Sequence, residues 1–187
     1  MAFIEVIEHD QAEGRLKEIY DNLVKTRGKL AEVHKIQSLN PETIVAHMDL
    51  YMKIMFSKSP LKRYQREMIA TVVSANNQCA YCVRHHGDAL NHFWKNQEKV
   101  DRLANNYAEL QLSEIDNLLC QWAEHLTSQP HLTKEGYLPK AMKNSGLSDR
   151  AILDATLVIA YFNFVNRIVM GLGVNLEEDG GEGYNYD

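Results

Sequence analysis

Apolar residues recur along this chain at helical rather than strand spacing. Over 13–26 they fall at Leu16, Ile19, Tyr20, Leu23 and Val24, which is one face of an amphipathic helix. Asn40-Pro41 reads as a helix start, with the asparagine as cap and the proline in the first turn. Ile44, Val45, Met48, Tyr51, Met52 and Met55 then repeat at helical spacing. Ser59-Pro60 predicts a second start of the same kind, opening a helix through Met68, Ile69, Val72 and Val73 that Asn76-Asn77 ends. Another helix opens at Cys79 and runs through His86, Leu90 and Trp94. Ser113 caps a helix from Glu114 to Leu126, with Ile115, Leu118, Leu119 and Trp122 as its stripe. Thr133 is read as the start of a helix that stops at Ser145-Gly146. Ser148 opens the last helix, where Ile152, Leu153, Thr156, Ile159, Ala160 and Asn163 lead to Met170-Gly171. No alternating run of useful length interrupts this pattern, and the fold class it predicts is all-α.

A shift of 85 residues lays Ala70-Thr71-Val72-Val73-Ser74-Ala75 over Ala155-Thr156-Leu157-Val158-Ile159-Ala160, with four of six positions identical. This weak repeat has two readings: the recurrence of small and β-branched residues in buried helices, or a duplicated helical unit whose second copy has lost its chemistry. Residues 1–176 are expected to form a single helical domain, with a candidate redox segment in 60–95 and a degenerate second unit in 147–172. The stretch 177–187, EEDGGEGYNYD, is too polar and glycine-rich to pack and is expected to be disordered.

Composition narrows the picture. The 187 residues are 45% hydrophobic and 24% charged, enough for a large core and too apolar for wholesale disorder. Glu177, Glu178, Asp179, Glu182 and Asp187 account for the whole formal charge of −5. A neutral body with an acidic tail is a poor match for nucleic acid or an anionic membrane. No stretch is expected to approach the ~18 uncharged apolar residues of a membrane span. The opening MAFIEVIEHDQAEG has acids where a signal peptide needs a basic start, so a soluble, cytoplasmic protein is expected. Three cysteines are an odd number, and two of them, Cys79 and Cys82, stand close together. In a reducing compartment such a pair is more often redox-active or metal-binding than structural.

The chemistry concentrates between Glu67 and His86. A Cys-x-x-Cys pair opening a helix puts both sulfurs on one face, close enough for a disulfide. The positive end of the helix dipole and its unsatisfied N–H groups favour a thiolate. His86 stands one helical turn after Cys82, where its imidazole can serve as base or charge partner, and His85 could do so less directly. If the preceding helix packs antiparallel, Glu67 can orient His86 as the acid of a triad does. Two other readings use the same residues: buried core cysteines, or a zinc site of Cys79, Cys82, His86 and either His85 or Glu67. Cys120 is read as a packing residue, and His9, His34, His47, His92, His125 and His131 share no spacing.

The pattern Glu67, eleven residues, Cys79-Ala-Tyr-Cys82, three residues, His86 resembles the AhpD-like alkylhydroperoxidase branch of the carboxymuconolactone decarboxylase superfamily. The stretch LSDRAILDATLVIAYFNFVNRIVMGLGVNL at 147–176 is similar to the C-terminal half of uncharacterised peroxidase-related members of that branch. The resemblance implies an all-helical fold with duplicated units, homo-oligomers that are commonly trimers or hexamers, and thiol-dependent reduction of hydroperoxides in antioxidant defence. By position, Cys82 would be the peroxide-attacking thiol, Cys79 the resolving one, His86 the base and Glu67 the end of the proton relay. No cofactor is implied beyond the redox pair, which needs an external dithiol reductant, in this family a lipoylated protein in some cases. One departure is Tyr81, which stands between the cysteines where the best-studied members carry histidine and cannot act as a base near neutral pH. A general thiol–disulfide oxidoreductase, a redox sensor and a zinc-binding or interaction protein are the alternatives.

Overall fold

The structure, a computed structural model, describes residues 2–177, 180 and 181. The elements are α1 (Gly14–Arg27), α2 (Glu32–Lys35), α3 (Pro41–Phe56), α4 (Arg63–Asn76), α5 (Ala80–Trp94), α6 (Gln97–Asn106), α7 (Glu114–Ser128), α8 (Tyr137–Asn144) and α9 (Asp149–Leu172). No strand occurs among the described residues, so the class is all-α as the periodicity predicts.

Two helix starts differ from the sequence pattern for local reasons. Helix α4 begins at Arg63 rather than at Ser59-Pro60. The Ser59 hydroxyl donates to Asp154 at 2.5 Å and accepts the Leu61 N–H at 3.1 Å, which makes a turn instead. The helix opens where Lys62 N–H is taken by Gln65 Oε1 at 2.9 Å. Helix α8 begins at Tyr137 rather than Thr133, after a 3-10 segment over Pro130–Glu135 and a left-handed Gly136. The pattern also passes over α2 and α6, and α6 buries only Val100 and Leu103. Its start is set by the Asn96 side chain, which accepts the Lys99 N–H at 3.0 Å. Of the acidic stretch 177–187, Glu177 is buried and accepts the Glu32 N–H at 3.2 Å. Residues 178, 179 and 182–187 lie outside the described residues.

The chain forms two compact units, one of Met1–Lys53 with Arg167–Asp187 and one of Ile54–Asn166. In the first, Leu16, Ile19, Tyr20 and Leu23 of α1 join Ala12 and Ile44 in a buried cluster, with Ile7, Leu30 and Met48 against it. Buried Tyr20 donates its hydroxyl to the Ile7 carbonyl at 3.1 Å, and the Ile7 N–H donates to Ser38 Oγ at 3.0 Å. Gly28 ends α1 in the left-handed conformation that favours glycine, at φ 79°.

The second unit is organised around α4, whose residues from Gln65 to Ser74 are all buried. Helices α5 and α7 pack on it, with α6 on α5 and α8 on α7. A helix enclosed on every side has no polar face to spare, which is why α4 reads Met-Ile-Ala-Thr-Val-Val-Ser. Two of its buried polar side chains reach partners on neighbouring segments. Arg66 donates to the carbonyls of Met55 at 2.7 Å and Ser57 at 2.9 Å, and Gln65 donates to Asp116 at 2.8 Å. Close approach also shapes α5, because a Cβ at Gly87 would stand 3.4 Å from Val100 Cγ1.

Against expectation, α9 is long and apolar enough to cross a membrane by length and composition, with mean hydropathy 1.5. Only 44% of that apolar window is buried. In the second unit α9 nonetheless carries buried polar groups with protein partners. Trp122 Nε1 donates to Thr156 Oγ1 at 3.0 Å, and fully buried Asn166 donates to Ser74 Oγ at 3.2 Å.

His47, buried on α3, gives the first unit a pH dependence. Gln37 Nε2 can only donate, so at 2.8 Å the His47 Nδ1 accepts and the ring is neutral. Burial pushes its pKa down from 6.5 to about 4. The unfolded chain therefore binds the proton first, and stability present above pH 6.5 is lost as the pH falls toward 4. Urea unfolding should show a loss of about 3 kcal/mol across that window. His47→Gln should flatten it.

Candidate active site

The site starts from a turn. Helix α4 ends at Asn76 and α5 begins at Ala80, with Cys79 as its N-cap. Gln78 takes the left-handed conformation at φ 58°, its N–H donates to the Ala75 carbonyl at 2.9 Å, and the Cys79 N–H donates to the Ser74 carbonyl at 2.9 Å. This closure reverses the chain in the fewest residues and delivers Cys79 to the helix N-terminus.

Both Cys79 and Cys82 are free thiols, 1% and 2% exposed. Cys79 accepts hydrogen bonds from the Cys82 thiol and from the Cys82 backbone N–H. The thiol bond foremost, and the N–H with it, hold the Cys79 thiol below its ordinary 9.0 against the opposing effect of burial. Cys82 is pushed up, first by donating to Cys79, then by burial and by the Cys79 charge, while a hydrogen bond with the Asn166 side chain works the other way. The favoured thiolate is therefore Cys79, and Cys82 holds the shared proton. The resemblance, by contrast, implies Cys82 as the attacking thiol.

Beside the pair, the antiparallel packing of α4 and α5 brings Glu67 and His86 together. His86 Nδ1 and Glu67 Oε2 are 2.7 Å apart, and Glu67 is 1% exposed. Arg63, one turn before Glu67 on α4, reaches Glu67 Oε1 at 2.5 Å and lies 4.1 Å from the Phe56 ring centroid. Burial alone would raise the Glu67 carboxyl, but His86 and then Arg63 outweigh it and hold the group below 4.5. An ionised carboxylate only accepts, so His86 donates from Nδ1 and presents Nε2 as its acceptor. The edge of Phe162 packs on the imidazole, ring centroids 4.3 Å apart.

Of the residues singled out in the sequence, Cys79, Cys82, Glu67 and His86 all gather here. Among the described residues, however, His86 is hydrogen-bonded to Glu67 and not to Cys82. Buried Tyr81 packs against His85, ring centroids 4.4 Å apart. Cys120 is fully buried on α7, and burial pushes its thiol up. No group of three or more His, Cys, Asp or Glu side chains among the described residues is arranged to hold a metal ion.

Three residues escaped the sequence reading. Arg63 is the cation paired with Glu67. Asn77 in the turn and Asn166 on α9 join through Asn77 Nδ2 to Asn166 Oδ1 at 2.9 Å. The only signal was two asparagines, Asn163 and Asn166, three residues apart in an otherwise apolar helix.

This fold is shared with AhpD-like proteins. A structure described as an alkylhydroperoxidase AhpD core, an uncharacterised peroxidase-related protein from Ralstonia eutropha JMP134, matches with TM-score 0.85 at 22% identity over 96% of this chain and 94% of that one. An uncharacterised peroxidase-related protein from Silicibacter sp. TM1040 matches with TM-score 0.81 at 24% identity over 91% and 88%. The debrominase Bmp8 matches with TM-score 0.76 at 20% identity over 94% and 92%. The fold is therefore AhpD-like, as the motif suggests, and it serves proteins of different activity.

Within that class, the sequence matches the PA26 p53-induced protein (sestrin) family over residues 2–187, and the chain belongs to that family. Sestrin-3 of Mus musculus is 23% identical over 185 residues, covering 95% of this chain and 35% of that protein. The chain thus spans about a third of the length of the curated relative it matches.

The shared carboxylate sets a second expected outcome. The stability that ionised Glu67 contributes is present above 4.5 and is lost as pH falls through its lower folded value. Glu67→Gln leaves Arg63 without its counter-charge and should cost about 3 kcal/mol at pH 7. In denaturant titrations the gap between wild type and variant should narrow below pH 4.5.

Proposed function

We propose that this protein is a thiol-dependent oxidoreductase that reduces hydroperoxides through a Cys79–Cys82 dithiol/disulfide cycle. The observation that carries the reading is the buried pair of free thiols, Cys79 at the N-cap of α5 and Cys82 in its first turn, beside a buried His86–Glu67 pair. Peroxidase-related proteins among those sharing the fold support it. The Cys79 thiolate attacks the distal oxygen of the hydroperoxide, the O–O bond breaks, and the sulfur is oxidised by two electrons to a sulfenic acid. The other oxygen leaves as an alkoxide that takes a proton from the site and departs as alcohol. Cys82 then loses its proton and attacks the Cys79 sulfur, expelling hydroxide, which leaves as water, and closing the disulfide.

His86 serves as the proton carrier, its Nδ1 anchored by Glu67 and its Nε2 free for transfer. An external dithiol, of lipoyl type or otherwise, restores both thiols in two exchange steps and is itself oxidised to a disulfide. Such a cycle suits a reducing compartment such as the cytoplasm. Leu153, Leu157 and Phe164 are large apolar residues exposed on α9, which favours assembly into a homo-oligomer, a trimer or hexamer by the family pattern.

The test is stoichiometric cumene hydroperoxide followed by mass spectrometry. Wild type should lose two protons, with the disulfide mapped to Cys79–Cys82. In Cys82→Ser, with dimedone present, the adduct should sit on Cys79. Thiols that stay reduced in wild type would overturn the function, and an adduct formed only on Cys82, in Cys79→Ser, would restore the opposite order.

A further inference from the structure

The two oxygens of buried Glu67 are taken by different groups. His86 Nδ1 donates to Oε2 at 2.7 Å, and Arg63, one turn earlier on α4, pairs with Oε1 at 2.5 Å. Arg63 is itself held in place, 19% exposed, with its guanidinium 4.1 Å from the Phe56 ring centroid. Its Nε has no hydrogen-bond partner among the described residues, so the guanidinium meets the carboxylate at one oxygen and not as a two-pronged fork. The pairing is one of charge. The other elements around His86 bring no second cation to Glu67. Arg66, the next cation on α4, gives its donors to the carbonyls of Met55 and Ser57. On α9 the side chain against His86 is the uncharged ring of Phe162, and α6 turns Val100 toward α5 at Gly87. The titratable groups on α5 itself are the Cys79–Cys82 pair and His85, which packs against Tyr81.

We propose that Arg63 is a positioning residue of the proton relay: by balancing the Glu67 carboxylate it keeps His86 neutral, with Nε2 open to accept a proton. The inference rests on the dithiol cycle proposed above, in which His86 is the proton carrier. Counting charges carries it. Arg63 and Glu67 together are neutral, so the pair demands no positive charge from the imidazole. Without Arg63 a carboxylate 1% exposed has lost its cation. An unpaired charge is costly in that setting, and His86 relieves it by taking a proton at Nε2. A ring protonated on both nitrogens only donates, so it can no longer accept the Cys82 proton. In the intact site that proton passes to Nε2 and on to the alkoxide, which leaves as alcohol. The Cys82 lone pair forms the S–S bond, and the Cys79 S–O bond breaks to release hydroxide, which leaves as water. The hydrogen bond from Nδ1 orients the ring, and the cation behind the carboxylate sets its protonation.

The experiment reads the His86 ring directly, by NMR of its imidazole nitrogens in the reduced full chain at pH 7. Rapid-quench mass spectrometry with cumene hydroperoxide follows disulfide closure in the same proteins. Wild type should show a protonated Nδ1 and a bare Nε2. Arg63→Gln should show both nitrogens protonated, with closure slowed by about tenfold or more at pH 7 and recovering as the pH is raised. Arg63→Lys returns a charge to the same place and should restore the neutral ring and most of the closure rate. With Arg63→Gln and Glu67→Gln combined, no charge is left to balance and the ring should be neutral again. A doubly protonated ring in wild type, a neutral one in folded Arg63→Gln, or slowed closure that high pH does not recover overturns the role of Arg63. Loss of the fold in both Arg63→Gln and Arg63→Met, which keeps the packing on Phe56, overturns it as well and makes Arg63 a structural charge. Wild-type protein that never closes the disulfide overturns the dithiol reading instead, and the ring spectra separate that failure from this one.

Discussion

The whole site depends on how one helix ends. Helix α4 stops and α5 begins with so little chain between them that Gln78 must adopt a left-handed conformation, at φ 58°, which costs a non-glycine residue about 1 kcal/mol. That closure puts Cys79 at the N-cap, Cys82 in the first turn and His86 one turn further on. It also folds α5 back along α4, so that a carboxylate on α4 faces an imidazole on α5. Moving the start of α5 by one residue would rotate Cys82 and His86 by about 100° and separate every pair that the chemistry uses.

Electrostatics then divides the labour. A carboxylate as deeply buried as Glu67 survives as an anion because the His86 N–H donates to one oxygen and the Arg63 guanidinium pairs with the other. Its ionised state fixes the His86 tautomer. The sulfurs are separated by a different device. Both donors that favour a Cys79 thiolate at the helix N-terminus come from Cys82, its thiol and its backbone N–H, so the pair shares its proton unequally. Two chemically identical thiols acquire distinct roles from position alone.

Much of this was legible in the sequence, and what was not has a physical reason. The helical class, the cap at Ser113 and the opening of α5 at Cys79 follow from local spacing and capping chemistry. The meeting of Glu67 and His86 was legible too, because an antiparallel hairpin fixes which residues of its arms are opposed. Which sulfur is favoured as the thiolate was not, since that turns on hydrogen-bond direction between two sulfurs one helical turn apart. Asn166 was hidden by distance along the chain, and Arg63 by looking like any charge at a helix start. Ser59-Pro60 misled because its hydroxyl serves Asp154 and Leu61 rather than a helix. Helix α6 was passed over because two apolar residues make too thin a stripe to read.

Membership of the sestrin family and the AhpD-like fold set this chain among proteins that differ in what they do, so the chemistry has to be argued from its own sulfurs. The account stands on Cys79 being the thiolate of the resting pair. Its most direct test is the ultraviolet thiolate absorbance followed through a pH titration of wild type, Cys79→Ser and Cys82→Ser. The account predicts a thiolate with a midpoint below 9.0 in wild type, kept in Cys82→Ser, where a hydroxyl still donates, and lost in Cys79→Ser. A low-pH thiolate that survives in Cys79→Ser and disappears in Cys82→Ser would contradict it.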